Sequence, residues 1–225
     1  MKVRVYRKML AVALVALLAA GGAASAQDST LVGGQSVLPP DALLTTPVGG
    51  LERTNATAEV VPASGQPFAR GLRVTVRANA PETNATQLTM PISTPVAAGD
   101  VLLASCFLRG ASASGTPAQV ELLFERSVDP WTKSITYDVM APPAPGRWKR
   151  FLVPFTAAES YRPGEAMVSL RFAFGPQTVE VGGLSVVDFG RSKRMEALIG
   201  LAAAAIPLGR QTVTVRLSAT KQPIL

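Results

Sequence analysis

Histidine is absent from this 225-residue chain, and cysteine occurs only once, as Cys106. Without histidine, the chain has no histidine-based catalytic triad, general base or metal ligand. A single cysteine also excludes an intramolecular disulfide and a zinc cluster. Cys106 stands in the apolar run 101–108, which favours a position in the core. We therefore expect the fold to be stabilised by burial of apolar side chains and not by cross-links.

Charge of one sign is not in strong excess either. The chain has 22 Lys and Arg residues against 15 Asp and Glu residues. Four of the basic residues lie within the first eight positions, so the rest of the chain carries a net charge of only +3. So mild a balance does not indicate a nucleic-acid partner, and we expect none.

The first 26 residues have the three parts of a secretory signal peptide. Basic residues at positions 2, 4, 7 and 8 precede an apolar run over 9–20, and Ala24-Ser25-Ala26 matches a small-residue cleavage site. The apolar run is shorter than the ~20 residues that a transmembrane helix needs. We expect cleavage before Gln27, a secreted, periplasmic or cell-envelope location, and no stable membrane insertion afterwards. The alternative is an uncleaved membrane anchor.

Most of the remaining chain alternates apolar and polar residues with a period of two, which is typical of half-buried antiparallel strands. Glycine and proline turns separate these runs. About ten strands and no helix are predicted before residue 190, so 27–190 is predicted to be an all-β antiparallel sandwich. The runs cover 31–37, 57–61, 71–77, 87–92, 101–109, 118–126, 135–140, 148–155, 166–174 and 178–189.

The C-terminal tail, 191–225, has a different character. Its segment 195–205 is rich in alanine and leucine, which favours a short helix that ends before Pro207. Alternation over 211–217 then predicts one further strand. Because a lone strand is not stable by itself, it must pair with the sandwich, with another chain, or with a domain outside this sequence.

Four short motifs near the end of the predicted sandwich resemble a known family. They are W-x-R-x-x-x-P-F from Trp148, Y-x-P-G-x-A from Tyr161, Q-x-V-E-V-G-G from Gln177, and a closing F-G at Phe189. The pattern resembles the jelly-roll carbohydrate-binding modules of the galactose-binding-like superfamily, which often stand beside bacterial glycoside hydrolases such as xylanases. The tail is similar to the segment that leads from such a module into a xylanase-type barrel. The resemblance therefore implies an exported module that binds polysaccharide and performs no catalysis.

The resemblance also implies where a sugar would bind. Modules of this kind carry aromatic and polar side chains on the outer, concave face of one sheet. An aromatic ring supplies apolar area for a pyranose, and polar groups orient its hydroxyls. We expect a groove lined by Arg109, Arg171 and Gln177 with an aromatic rim. The matching face positions are Gln87, Phe107, Arg109, Glu121, Glu125, Arg171 and Gln177, and the rim positions are Trp131 and Tyr137.

Several of these residues also have a purely structural interpretation. Arg109 and Arg171 can each pair with Glu121 or Glu125 and hold adjacent strands in register. Trp131 can cap one end of the sandwich, and Trp148 is predicted to lie in the core. Glu121 and Glu125 are four residues apart on one strand, or ~13 Å. That spacing exceeds the ~5–9.5 Å of paired glycosidase carboxylates, so an enzyme is not expected.

The family resemblance implies a structural calcium ion near the chain ends of the domain, with Asp188 as the matching carboxylate. The alternative is a solvated aspartate. A second functional hypothesis is a cell-envelope scaffold in which the strand 211–217 pairs with a protein partner. A third is the remnant of a glycoside hydrolase that has lost its catalytic part.

Overall fold

The computed structural model describes residues 33–115, 117–135, 138–140 and 146–204, with the backbone alone for 138, 139 and 200–204. The predicted leader 1–26, the rim residue Tyr137 and the predicted strand 211–217 lie outside the described residues. Within the described part, no helix combines the length and the apolar character that crossing a bilayer requires.

Two antiparallel sheets pack face to face, which confirms the predicted sandwich. Sheet A has the order β3-β4-β11-β6-β9, with β1 paired to β11, and sheet B has the order β2-β5-β10-β7-β8. The described strands are β1 (Gln35–Ser36), β2 (Val48–Gly49), β3 (Thr57–Pro62), β4 (Arg70–Val76), β5 (Gln87–Pro91), β6 (Val101–Ser112), β7 (Val120–Arg126), β8 (Asp138–Met140), β9 (Lys149–Thr156), β10 (Ala166–Arg171) and β11 (Gln177–Asp188).

The connections between strands follow jelly-roll order. From β4 onward the chain crosses between sheets at nearly every step, so that β4-β11-β6-β9 faces β5-β10-β7-β8. Only the step from β7 to β8 stays within one sheet. Residues that are close in sequence therefore often end on opposite sheets, which matters for the site described below.

Four short elements differ from the sequence expectation. Of the predicted strand 31–37, the described part, 33–37, contains the two-residue strand β1, which pairs with the end of β11. The helix α1 (Ala42–Thr45) and 3-10 turns at Leu51–Thr54 and Thr83–Ala85 precede residue 190, where no helix was expected. These elements span a single turn each, too few residues to show a helical period in the sequence.

The core lies between the sheets and is filled by the inward side chains of the alternating strands. Phe124 and Phe172 are fully buried there, each contributing about 1.5–3 kcal/mol of burial free energy. Cys106 lies in the same core, as predicted. Burial raises the pKa of its thiol to about 12, so the thiol stays protonated at neutral pH.

The outer face of sheet A is covered at one end by the second helix, α2 (Met195–Ala204). Leu198 of this helix is buried against Leu103 and Phe189, while Val101, Leu152 and Val187 pack around them. The predicted helix is thus confirmed over its described residues. Because α2 covers only this end, the opposite end of the same face is left for the side chains described next.

Candidate functional site

A row of alternating charges crosses the uncovered end of sheet A. Glu59 of β3 stands opposite Arg73 of β4, which stands opposite Glu180 of β11, which in turn stands opposite Arg109 of β6. Directly opposed residues share a sheet face, and opposite charges at these positions attract. All four side chains therefore lie on the outer face, on the parity opposite to the core.

Glu180 is the centre of this row. Its Oε2 accepts a hydrogen bond from Arg109 Nε at 2.8 Å and lies 2.6 Å from Arg109 Nη2 in the ion pair. Its Oε1 accepts from Arg73 Nη2 at 3.0 Å and Nε at 3.2 Å. The Glu180 bonds, followed by the Glu59 bond, raise the pKa of Arg73. Two guanidinium groups on one carboxylate leave both arginines oriented and partly exposed, with side-chain exposures of 37% for Arg73 and 27% for Arg109.

An aromatic cluster ends the row. The Arg109 guanidinium lies over the Trp148 ring at 4.8 Å, within cation–π range. Phe68 meets Trp148 edge-on at 5.2 Å and lies 5.3 Å from Phe107. Trp148 is partly exposed, so its predicted place in the core is wrong: it shares the strand parity of Arg150 and faces outward. We call this surface the sheet A platform: Glu59, Phe68, Arg73, Phe107, Arg109, Trp148 and Glu180.

A glycine pair makes room for these rings. A Cβ atom on Gly182 would stand 2.0 Å from Phe68 Cε2, so the phenyl ring occupies the space of the missing side chain. Gly183 continues the hollow with φ +57°, a left-handed conformation that favours glycine. The pairing of β11 with β6 shifts register at this point. The bulge therefore positions Phe68, and through Phe68 it positions Trp148.

The outer face of sheet B carries a second group of charges, the sheet B network of Glu121, Glu125, Lys133 and Arg171. Arg171 Nη1 lies 3.1 Å from Glu121 and Nη2 lies 3.7 Å from Glu125. Lys133 Nζ lies 3.3 Å from Glu125, whose other oxygen accepts a bond from Ser169 at 3.0 Å. Side-chain exposure is 13% for Arg171, 6% for Glu121 and 3% for Glu125.

The sheet B network is covered rather than open. Leu123 stands between the two glutamates on the same face and is fully buried. Arg171 Nε is also buried and has no hydrogen-bond partner among the described residues. One guanidinium touches both carboxylates, so they lean together and lie closer than the ~13 Å that the strand spacing predicted. This network links β7 and β10 through ion pairs and a hydrogen bond.

The predicted groove of Arg109, Arg171 and Gln177 is wrong, because Arg109 and Arg171 lie on opposite faces of the sandwich. Both arginines form the ion pairs that were the structural alternative, although Arg109 pairs with Glu180 and not with Glu121 or Glu125. Alternation along one strand identifies the outward side chains, but it does not tell which sheet the strand joins.

Gln177 is buried and fully engaged by the backbone. Its amide nitrogen donates to Gln119 O at 2.8 Å and to Phe172 O at 2.7 Å, and its amide oxygen accepts from Gln119 N at 2.8 Å. It joins the start of β11 to the segments before β7 and after β10. This arrangement contradicts its expected position on an open face.

The remaining predicted residues lie on sheet B or its edge. Gln87 of β5 stands opposite Arg171 and is partly buried, while Glu125 belongs to the sheet B network. Trp131 lies in the loop after β7 and is 45% exposed, and its carbonyl accepts a bond from Lys133. Whether these residues contact a sugar stays a prediction.

Asp188 lies at the end of β11 in a pocket of about 480 Å³, which Asp100, Gln35 and Tyr161 also line. Its Oδ1 accepts from Gly190 N at 2.7 Å. Burial, and more weakly the neighbouring Asp100, raise the pKa of Asp188. Two carboxylates that approach each other in a partly buried pocket fit a hard cation such as Ca²⁺, which takes oxygen ligands. No group of three acidic residues able to hold a metal occurs in the described part of the chain.

Comparison with known proteins shows a similarity to carbohydrate-binding modules. No family model and no curated protein match this sequence. A solved carbohydrate-binding module described as CBM4 matches with a TM-score of 0.45 and 12% identity over 59% of this chain and 94% of its own. The CBM22-1 xylan-binding domain of Paenibacillus barcinonensis Xyn10C matches with 0.41 and 11%, over 61% and 83%.

A longer solved chain with two modules also matches. The CBM22-1–GH10 part of Clostridium thermocellum endo-1,4-beta-D-xylanase 10B matches with a TM-score of 0.47 and 12% identity. That match covers 72% of this chain but only 29% of the xylanase chain.

Proposed function

We propose that this protein binds polysaccharide through the sheet A platform and catalyses no reaction. The observation that supports the proposal is the partly exposed Trp148, held at the end of a fixed row in which Arg73, Arg109 and Glu59 are partly exposed around the buried Glu180. The sheet B network is the less suitable site, because its carboxylates and Leu123 are buried. The proposal therefore keeps Phe107 and Arg109 of the predicted face positions and leaves out those on sheet B.

The platform has the chemical groups that sugar recognition needs. Trp148 and Phe68 offer apolar area for the carbon face of a pyranose. Arg109 forms its ion pair through Nε and Nη2, which leaves Nη1 outside that pair. The exposed Glu59 supplies an acceptor for a hydroxyl. Because the ion pairs already hold these groups, binding costs little further side-chain entropy.

The test compares the two tryptophans of the chain. Calorimetry of the folded protein against xylan, cellulose, β-glucan, galactan and acidic polysaccharides should detect binding, and Trp148→Ala should weaken it at least about tenfold, or 1.4 kcal/mol. Trp148→Phe should retain part of the affinity, since a ring remains. Trp131→Ala is the matched control and should leave affinity unchanged.

Three outcomes of this test contradict the proposal. Absence of binding to every glycan would reject polysaccharide binding itself. A loss of affinity in Trp131→Ala but not in Trp148→Ala would place the site at the edge of sheet B. Equal affinities for all three variants would exclude both tryptophans. Urea unfolding of each variant separates a lost contact from a lost fold.

The proposal includes export by the predicted leader and a Ca²⁺ ion held by Asp188 and Asp100. N-terminal sequencing of the protein recovered outside the cytoplasm should begin at Gln27.

Ca²⁺ added to chelator-treated protein should stabilise it by about 2.7 kcal/mol at a hundred times the dissociation constant. Asp188→Asn should remove this effect, whereas the exposed Asp41→Asn should not. Stabilisation that persists in Asp188→Asn would exclude this site.

A further inference from the structure

Positive charge collects around the sheet A platform. Arg147, Lys149 and Arg150 surround Trp148 in sequence, at the start of the edge strand β9. Arg147 is exposed, and the Arg150 guanidinium lies 5.7 Å from the Phe107 ring. Lys149 stands opposite the core residue Leu108 and points away from the platform. With Arg73 and Arg109, the described residues of the platform and its rim then carry four cationic side chains against two carboxylates, a formal net charge of +2.

The opposite face has no such excess. The sheet B network contains two cations and two carboxylates, so its formal charge is zero. The pocket at Asp100 and Asp188 is lined by these two carboxylates and one cation, Arg162. The net charge of the chain after residue 26 is only +3. The excess is therefore unevenly distributed, and it lies beside the partly exposed indole.

From this distribution we infer that the sheet A platform selects acidic polysaccharides whose sugars bear carboxylates. The inference rests on the proposed function and specifies its ligand class. A uronic acid combines the two features that the platform matches: a pyranose ring for Trp148 and a planar carboxylate for a guanidinium. Arg109 brings these features together, since its guanidinium lies over the indole.

Polyanions without a sugar ring match only one of the two features. An inorganic polyphosphate would meet the cationic rim but would gain little from the indole. Its binding should depend on salt and remain unaffected by loss of Trp148. A uronate polymer should depend both on salt and on Trp148, and this double dependence distinguishes the inferred ligand from a general polyanion.

The experiment uses polygalacturonate and alginate, each measured against its own neutral ester. Esterification removes the charge and keeps the ring, so the pair isolates the contribution of the carboxylate. At low salt the free acid of at least one polymer should bind about tenfold more tightly than its ester, and the ratio should approach one at 0.5 M salt. Arg147→Gln/Arg150→Gln should reduce this ratio, because it should lower the affinity for the acid more than the affinity for the ester.

Arg147→Gln alone serves if the double variant fails to fold, because Arg147 is exposed and precedes β9. Equal affinity for acid and ester would overturn the selectivity, while the binding of neutral glycans would leave the proposed function standing. Failure to bind any glycan would reject both. A ratio unchanged in the arginine variants, or polyphosphate binding as tight as that of the uronates and insensitive to Trp148→Ala, would also overturn the inference.

Discussion

The two outer faces of the sandwich use the same residue types in different surroundings. Each face pairs an arginine with glutamates across neighbouring strands, Arg109 with Glu180 on sheet A and Arg171 with Glu121 on sheet B. On sheet A the arginine keeps 27% of its side chain exposed, and on sheet B it keeps 13% beside a fully buried Leu123. The two faces therefore differ in how far their arginines are buried and not in residue type. The more exposed face can contact a ligand, and the more buried one holds strands together.

The physical reason lies in desolvation. An exposed ion pair contributes about 0–1 kcal/mol, because water screens the charges and ordering two long side chains costs entropy. A buried network of ion pairs adds little net stability to the fold. Removal of one partner, however, leaves a buried charge that neither an opposite charge nor water compensates. The sheet B network should therefore be sensitive to substitution. Either partly exposed arginine of the sheet A row can be altered with less effect on folding, because the buried Glu180 keeps the other arginine.

Among these substitutions, removal of Arg171 from sheet B should have the largest effect on the free energy of unfolding. Arg171→Met leaves Glu121 without its cation and Glu125 with Lys133 alone, on a face where both glutamates are buried. We expect a loss of about 3–5 kcal/mol in the free energy of unfolding, measured by urea titration. The matched variant Arg109→Met should cost about 1 kcal/mol or less, because Glu180 keeps Arg73.

A comparable loss in both variants would remove the distinction between the two faces. So would a larger loss in Arg109→Met, which would identify the sheet A row as the structural one. The midpoint and the slope of each titration should be compared, since a changed slope would indicate an altered unfolded state.

The hollow under Phe68 offers a smaller and more local test. Gly182→Ala places a methyl group in the space of the Phe68 ring, so the ring must turn away and withdraw its edge contact with Trp148. We expect a loss of about 1–2 kcal/mol in stability and a larger proportional loss of glycan affinity. Gly49→Ala is the control: its new methyl group meets only a carbonyl oxygen at 3.7 Å, an ordinary contact.

Full glycan affinity in Gly182→Ala would show that Phe68 does not support Trp148. A loss of affinity in Gly49→Ala as well would show that binding responds to general destabilisation. The effect on the sheet A face would then carry no information about the site.

The fold was predictable from the sequence because alternation within a strand is a local property. The predicted runs agree with β3 to β7 and with β9 to β11 within a few residues, and the turns between them contain glycine and proline. Burial of Cys106 followed from the same pattern. Single-turn elements such as α1 were missed, since four residues cannot display a period.

The site was not predictable in the same way, because sheet membership depends on long-range pairing. Arg109 and Arg171 look alike in sequence, each polar at the end of an apolar run, yet jelly-roll order places them on opposite faces. Gln177 appeared to be a ligand residue because the sequence does not show that three backbone groups surround its amide. Strand parity alone did contain a signal for Trp148, which alternates with Lys149 and stands two residues before the outward Arg150.

The smallest change, Glu59→Gln, tests the sheet A face without disturbing the fold. Glu59 is 60% exposed and accepts one bond from Arg73 at 2.9 Å, so the free energy of unfolding should change by no more than about 0.5 kcal/mol. The substitution removes one of the two negative charges of the platform and keeps its shape. The affinity for polygalacturonate at low salt should therefore rise about two- to fivefold, while that for its neutral ester should stay constant.

The control is Glu82→Gln, which changes an exposed glutamate outside the platform and should alter neither affinity. A rise of equal size in both variants would mean that the ligand responds to total charge, and an unchanged affinity in Glu59→Gln would mean that it does not approach this end of the row.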